Sequence, residues 1–101
     1  MDNKNNAQLQ IELKEEIAEG VYANLAVIAH SSSEFVMDFV RVMPGVAKAQ
    51  VKSRVIMTPE HAKRLEMALR DNIRRYERTF GEIRLPEQQN YIPSSPFKGE
   101  A

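Results

Sequence analysis

Apolar and polar residues alternate along the first half of the chain, a period-two pattern that predicts β-strands. Four strands are predicted on this basis, at residues 8–13, 21–30, 34–43 and 47–57. Three serines at 31–33 and the Pro44-Gly45 pair separate the last three strands, so we expect two consecutive hairpins. The pattern therefore predicts an antiparallel sheet built from hairpins.

The register of the first hairpin depends on the length of its serine loop. With three loop residues, Val27 lies opposite Met37, so that a small side chain faces a large one. A two-residue turn would instead put Asp38 beside Val27 on the buried side of the sheet, which is costly for an unpaired carboxylate. We therefore predict the three-residue loop, with the odd-numbered strand residues facing the core and the even-numbered ones facing away.

The second hairpin is predicted to keep the same inside face. With a three-residue connection at 44–46, Phe39 meets Val51 on the core face. On the opposite face, Asp38 then meets Lys52. Both hairpins thus agree on which side of the sheet is buried.

From Thr58 onwards the pattern changes to the period of an α-helix. Thr58 and Pro59 suit the N-cap and the first helical position, and Gly81 suits the end of the helix. Apolar residues recur every three or four positions and form what we call the helix stripe: Ala62, Leu65, Leu69, Ile73, Tyr76 and Phe80. We expect this stripe to cover the odd face of the sheet. The predicted fold class is α+β, a four-stranded antiparallel sheet followed by one long C-terminal helix packed on one face.

Length and composition predict a single domain with two tails. A chain of 101 residues fits one domain, which we place at residues 8–85. We expect residues 1–7 to form a flexible arm and residues 86–101, rich in Pro, Gln and Ser, to form a disordered tail. Because cysteine is absent, no disulfide is possible and a cytoplasmic location is expected. No apolar run approaches the roughly 20 residues that span a bilayer, so no membrane association is expected.

The chain offers no clustered set of residues for catalysis or for a metal ion. His30 and His61 lie in different elements without paired spacing, so no metal site is predicted. His30, the serines and Asp38 supply the residue types of a hydrolytic triad, but the predicted register separates them. Glycines occur singly, which disfavours phosphate-binding loops of the Walker and dinucleotide types. We predict a protein without enzymatic activity and without a cofactor.

The even face of the predicted sheet carries a mostly apolar patch, since one helix covers only the odd face. The patch comprises Tyr22, Ala26, Ile28, Val36, Val40 and Val42. Apolar patches with a polar rim usually mark interaction sites, and self-association is common in small domains. We predict that this patch forms the interface of a homo-oligomer, a dimer or a dimer of dimers, and that it offers binding sites to polypeptide partners.

Charge is unevenly distributed although the formal net charge is zero. Residues 1–40 carry seven acidic and two basic side chains, whereas residues 41–84 carry eleven basic and five acidic ones. Six basic residues would suit a surface for single-stranded nucleic acid: Lys48, Lys52, Arg54, Arg70, Arg74 and Arg78. Acidic residues four positions earlier, as in Glu66 with Arg70, favour an ion-paired and solvent-facing helix instead. Nucleic-acid binding is therefore the alternative function.

Three stretches of the sequence resemble a small bacterial and archaeal family of domains of unknown function. They are YANLAVI at 22–28, SEFVMDF at 33–39 and TPEHAKRL at 58–65, and the resemblance runs from about residue 8 to about residue 83. The family implies no particular activity. A looser similarity in fold is to the export chaperone SecB, which has antiparallel strands followed by a long helix. That similarity would imply dimers or tetramers with a chaperone-like function.

Overall fold

A computed structural model describes residues 8–86 of the chain. The predicted arm at 1–7 and the predicted tail beyond Pro86 lie outside the described residues. The elements in chain order are α1 (Glu15–Ala18), β1 (Leu25–His30), β2 (Phe35–Arg41), β3 (Gln50–Met57) and α2 (Pro59–Phe80). The described part of the chain therefore has the predicted α+β class.

The sheet has three antiparallel strands in the order β1-β2-β3, not the four that were predicted. Residues 8–14, which contain the predicted first strand, form neither a helix nor a strand. Leu9 and Ile11, expected to point into the core, are each 86% exposed. Alternating apolar and polar residues place the apolar side chains on one side of a strand. A strand also needs a neighbouring strand that forms hydrogen bonds with its backbone N–H and C=O groups. Within the described part of the chain this segment has no such neighbour.

β1 begins four residues later than predicted because a side chain takes over its pairing with β2. The Asn24 amide donates from Nδ2 to the carbonyl oxygen of Val42 at 3.0 Å. The Val42 N–H donates in return to Oδ1 of Asn24 at 2.8 Å. These two bonds satisfy the backbone of Val42 beside the point where regular pairing stops.

The first hairpin has the register that the sequence argument rejected. β1 and β2 pair with Val27 opposite Asp38, not opposite Met37. Asp38 is indeed buried, at 1% exposure. The objection assumed that a buried carboxylate would have no partner, whereas Arg54 on the neighbouring strand supplies one. The three-residue loop was therefore a wrong prediction.

The serine run closes this hairpin as a two-residue turn without any glycine. The N–H of Ser31 donates to the carbonyl oxygen of Glu34 at 2.9 Å, which leaves Ser32 and Ser33 at the tip. The Ser31 hydroxyl accepts hydrogen bonds from the N–H groups of Ser33 and Glu34, both at 3.2 Å. A side-chain oxygen that binds the turn backbone in this way is the contribution that serine makes to turns.

In the observed register, each face of the sheet carries odd-numbered residues of one strand and even-numbered residues of the neighbouring strand. The face toward α2, called the helix face, carries Ala26, Ile28, Phe35, Met37, Phe39 and Val55. The opposite face, called the Asp38 face, carries Leu25, Val27, Ala29, Val36, Asp38 and Val40. Ala29 and Val40, each 5% exposed, are the best-buried apolar residues described, and both lie on the Asp38 face. The prediction that the odd-numbered strand residues form one core face was wrong.

The second hairpin pairs β2 with β3 two residues away from the predicted register. Phe39 lies opposite Ser53 and not Val51, and Asp38 lies opposite Arg54 and not Lys52. The pairing is irregular after Phe39, where Lys52 is the extra residue of β3. β3 therefore has eight residues where β2 has seven.

The Pro44-Gly45 turn itself is confirmed. The N–H of Val46 donates to the carbonyl oxygen of Met43 at 3.3 Å, and Gly45 has a positive φ of 80°. β3 begins only at Gln50, however, so the turn lies inside a longer connection instead of joining two strand ends directly. The longer connection and the shifted register accompany each other, since Arg41 pairs with Gln50 at this end of the strands.

The helix bounds agree with the prediction at both ends. The Thr58 hydroxyl accepts the N–H of His61 at 3.2 Å, Pro59 is the first residue of α2, and Gly81 follows Phe80 with a positive φ of 101°. The expectation that the helix stripe covers a whole face of the sheet is wrong, because no residue of α2 is buried and only its first turns lie over the sheet. A helix of 22 residues is about 33 Å long, whereas strands of six to eight residues are about 20–27 Å long. The helix therefore extends beyond the sheet that it was expected to cover.

Candidate interaction surface

The first turns of α2 lie over the helix face and leave a groove between the two layers. The groove has a volume of about 270 Å³. It is lined by Ile28, Phe35, Met37, Ala62, Leu65, Glu66 and Leu69. All but Glu66 are apolar. Since protein interiors are close-packed, an apolar groove of this size indicates that the helix and the sheet do not complete a core by themselves.

From Leu69, which lies at the end of the groove, the helix stripe continues with large exposed side chains. The exposed fractions are 56% for Leu69, 40% for Ile73, 50% for Tyr76 and 73% for Phe80. We call these four side chains the open stripe. The rings of Tyr76 and Phe80 contact each other, with centroids 4.9 Å apart. They therefore form one continuous apolar surface near the end of α2.

The polar side of α2 is organised by ion pairs along the helix. Arg70 binds Glu66 and Arg75 binds Asp71, two of the pairs that the four-residue spacing predicted. After Gly81 the chain is held beside the last turn, because the Ile83 N–H donates to Oε2 of Glu77 at 3.0 Å. The helix thus has a solvated polar side and an uncovered apolar side.

The interface predicted from the sequence is not one surface in the structure. Ala26 and Ile28 lie on the helix face, whereas Val36 and Val40 lie on the Asp38 face. Tyr22 precedes β1 and Val42 follows β2. Val40 is buried and Tyr22 is exposed, so these residues do not form the continuous patch that was expected. Their role in assembly remains a prediction.

The open stripe was missed as a surface although its residues were identified correctly. The stripe was assigned to the core because its spacing is that of a buried helix side. Element length gave no warning, because the predicted strands of ten and eleven residues would be about as long as the helix, roughly 33 Å. The surplus apolar surface appears only with the shorter strands of the structure.

Asp38 and Arg54 form a bidentate ion pair on the Asp38 face. Arg54 Nε donates to Oδ1 of Asp38 at 2.6 Å, and Nη2 donates to Oδ2 at 2.8 Å. The Asp38 side chain is buried, while that of Arg54 is about half exposed. The hydrogen bonds from Arg54, together with its charge, lower the pKa of Asp38 against the opposing effect of burial. Asp38 is therefore held as a carboxylate by its neighbour across the strands.

This ion pair predicts a specific loss of stability in acid. The pKa of Asp38 is lower in the folded chain than in the unfolded one, so the unfolded chain takes up the proton first as the pH falls. The stabilisation is complete above about pH 4 and is lost as the pH falls through the folded-state pKa. We expect the free energy of unfolding, measured with urea, to fall more steeply toward about pH 3 in the wild type than in Asp38→Asn. Equal slopes for the two proteins would contradict this assignment.

The residue types of a hydrolytic triad are not assembled. His30 lies on the helix side of the sheet and stacks on Phe35, with ring centroids 5.4 Å apart. Asp38 lies on the other face, where it binds Arg54. The Ser31 hydroxyl accepts hydrogen bonds from the turn backbone. Each of these residues thus has a structural partner of its own.

The six basic residues of the alternative function differ in their surroundings. Arg54 and Arg70 are engaged with Asp38 and Glu66. The other four are exposed, two beside or within β3 and two on α2: Lys48, Lys52, Arg74 and Arg78. Nucleic-acid binding by this set remains a prediction.

Two further findings concern sites and membranes. Among residues 8–86, no group of three or more His, Cys, Asp or Glu side chains is placed to hold a metal ion. None of the helices in the described part of the chain combines the length and the apolar content that crossing a bilayer requires.

Comparison with known proteins identifies a family for the chain. No curated protein and no solved structure matches the chain, so the looser similarity to SecB is not supported. A family model described as "Protein of unknown function (DUF3467)" matches residues 1–85. This match confirms the resemblance that the stretches at 22–28, 33–39 and 58–65 indicated. The chain therefore belongs to the DUF3467 family of proteins of unknown function.

Proposed function

We propose that this protein is a non-enzymatic homo-oligomer whose subunits pack through the open stripe, and that the assembly binds polypeptide partners. The observation that carries the proposal is the open stripe itself, four large apolar side chains that are 40–73% exposed on one side of α2. Contiguous apolar surface of this kind is rare on stable monomers and usually marks an interaction site.

The energetics of a small domain favour association. A domain of this size buries a modest fraction of its surface, and the best-buried apolar residues described are Ala29 and Val40, both small. Complete burial of a large apolar side chain contributes about 1.5–3 kcal/mol. Packing the open stripe against a second subunit would therefore add apolar burial that the subunit lacks on its own.

A second copy of the chain is the partner that the shape of the stripe suits best. An amphipathic helix with one apolar seam can pack against the same seam of another copy about a twofold axis, so that a single surface serves both subunits. The ion-paired polar side of α2 remains in water in this arrangement. The apolar groove between α2 and the helix face then provides room for segments of a bound polypeptide.

Sedimentation velocity on the full chain tests the oligomer. We expect a dimer or a larger assembly at micromolar concentrations, with monomer appearing on dilution. The midpoint of thermal unfolding should also rise with protein concentration, because association stabilises the folded state by mass action. A single monomeric species at all micromolar concentrations would refute the oligomer.

Polypeptide binding is tested separately by the aggregation of a chemically unfolded client protein. We expect suppression of light scattering at about one subunit per client, and less suppression when Leu65→Asp places a carboxylate in the groove. Met67→Asp, the same change of an apolar residue to aspartate at an exposed position of α2 that does not line this groove, serves as the control. Unchanged scattering with the wild type would refute the polypeptide-binding part and leave the oligomer standing.

A further inference from the structure

The segment at 8–13 has the sequence of a strand but no strand partner. Leu9, Ile11 and Leu13 alternate with polar residues, and all three side chains are exposed. Within the described part of the chain, the backbone of residues 8–13 makes no hydrogen bond to another segment. A backbone with one apolar side and unpaired polar groups is suited to joining a sheet edge.

β1 is the sheet edge that remains suited to pairing. Among residues 8–86, the sheet order leaves one side of β1 and one side of β3 without a neighbouring strand. β3 carries Lys52 and Arg54 and has an irregular register at Lys52, features that discourage added strands. β1 has the sequence LAVIAH and contains neither a lysine nor an irregularity. It also has six residues, the same length as the segment at 8–13.

The helix side of β1 is also the side that still needs apolar cover. Ile28 on the helix face is half exposed, whereas Ala29 on the Asp38 face is buried. An added strand whose apolar residues point to the helix face would place Ile11 or a neighbour next to Ile28. Its polar residues would then lie on the other face.

Residues 14–20, called the connector, join the segment at 8–13 to the rest of the chain. Their conformation explains why the segment does not pair with the sheet of its own chain. α1 and the turn at Gly20 are held by local bonds, among them Ala18 N–H to the Lys14 carbonyl oxygen at 2.9 Å and Gly20 N–H to that of Ile17 at 3.0 Å. Gly20 has a positive φ of 79°, which fixes the direction of the chain at this turn. With the connector in this conformation, residues 8–13 do not pair with β1 of the same chain.

We propose that residues 8–13 of one copy pair with the outer edge of β1 in a second copy, so that each sheet gains a fourth strand by exchange. This proposal rests on the homo-oligomer proposed above and names a second contact that holds it together. In this proposal the predicted fourth strand, at residues 8–13, forms only when two copies associate.

Introduced cysteines test this pairing directly, because the chain contains none of its own. Leu9→Cys, Ile11→Cys and Leu13→Cys are each mixed with a size-tagged Ile28→Cys chain, refolded together and oxidised. We expect a disulfide between the two different chains for one of the three positions, since only directly opposed residues come close enough. Size-tagged Lys52→Cys, on the edge of β3, replaces Ile28→Cys as the control and should give no disulfide with the segment.

A backbone variant provides a second measurement. Ile11→Pro removes a backbone N–H from the exchanged strand and should weaken association at least tenfold in sedimentation. Ile11→Val, which keeps the strand preference, should change it by less than about twofold.

The possible outcomes separate this proposal from the proposed function. An oligomer without the disulfide to Ile28→Cys, or with unchanged association in Ile11→Pro, overturns strand exchange alone. A disulfide to Lys52→Cys, or one that forms only when both cysteines are in one chain, also overturns it. A monomer at all concentrations overturns both proposals.

Discussion

Replacing Ile73 by glutamate is expected to convert the proposed oligomer into folded monomers. Ile73 lies in the middle of the open stripe, so a carboxylate there would be buried without a partner wherever two stripes meet. Together with the lost apolar burial, we expect a cost of about 3 kcal/mol, which corresponds to a roughly hundredfold weaker association. Sedimentation velocity measures the association, and circular dichroism shows whether the helix content is retained.

Met67→Glu is the matched control for this variant. Met67 is also on α2 and is 56% exposed, against 40% for Ile73. At 100° per residue it lies on the opposite side of the helix from the centre of the stripe. The same change of an apolar side chain to glutamate should therefore leave association within about twofold. Equal behaviour of the two variants, or an undiminished oligomer in Ile73→Glu, would show that the open stripe is not the interface.

The parts of the fold that the sequence predicts well are those with a local cause. Thr58, Pro59 and Gly81 mark the ends of α2 because each acts on backbone groups within one helical turn. The Pro44-Gly45 turn is likewise set by the conformations that these two residues allow. No distant residue has to be known for such predictions.

The first hairpin shows why register is harder to predict. Burial of Asp38 is unfavourable if β1 and β2 are considered alone, and that reasoning leads to the wrong loop length. The observed register is favourable because Arg54, 16 residues further along the chain, reaches the carboxylate from β3. A contact between non-neighbouring segments thus decides the pairing of two neighbouring strands.

The candidate surface depends on what lies outside a single chain. The spacing of Leu69, Ile73, Tyr76 and Phe80 identifies an apolar helix side, but it does not say whether the sheet or another subunit covers that side. The segment at 8–13 presents the same problem, since its alternation predicts a strand without naming the edge that it joins. Both features become informative only when the described chain leaves them exposed.

Replacing Arg54 is expected to destabilise the protein much more than replacing its partner Asp38. Arg54→Gln leaves the buried Asp38 carboxylate without its bidentate partner and should lower the free energy of unfolding clearly more than Asp38→Asn does. Asp38→Asn keeps the shape of the side chain, and the half-exposed Arg54 guanidinium retains contact with water, so we expect a loss of about 1–2 kcal/mol. Urea denaturation at one fixed subunit concentration measures both losses, so that the proposed association would affect each measurement alike.

Arg74→Gln, an exposed arginine of α2, is the control for the loss of a positive charge and should stay within about 0.5 kcal/mol of the wild type. A double variant, Asp38→Leu with Arg54→Met, should be more stable than Arg54→Gln alone, because it removes the buried charge together with its partner. Equal losses for Arg54→Gln and Asp38→Asn would show that burial of the carboxylate does not dominate the energetics of the pair.

The pH dependence of Arg54→Gln separates a buried unpaired charge from a simple loss of packing. Without Arg54, burial favours the neutral form of Asp38, so its folded-state pKa should lie above that of the unfolded chain. A raised folded-state pKa means that the folded chain binds the proton more tightly, and the deficit should therefore shrink as the pH falls through that pKa. The wild type shifts in the opposite direction, since its Asp38 has a lowered pKa. The difference between the wild type and Arg54→Gln therefore narrows in acid in either case. The decisive reference is the double variant Asp38→Asn with Arg54→Gln, which lacks the titrating carboxylate. Arg54→Gln should gain stability relative to this double variant as the pH falls, whereas a packing defect alone would keep that difference constant.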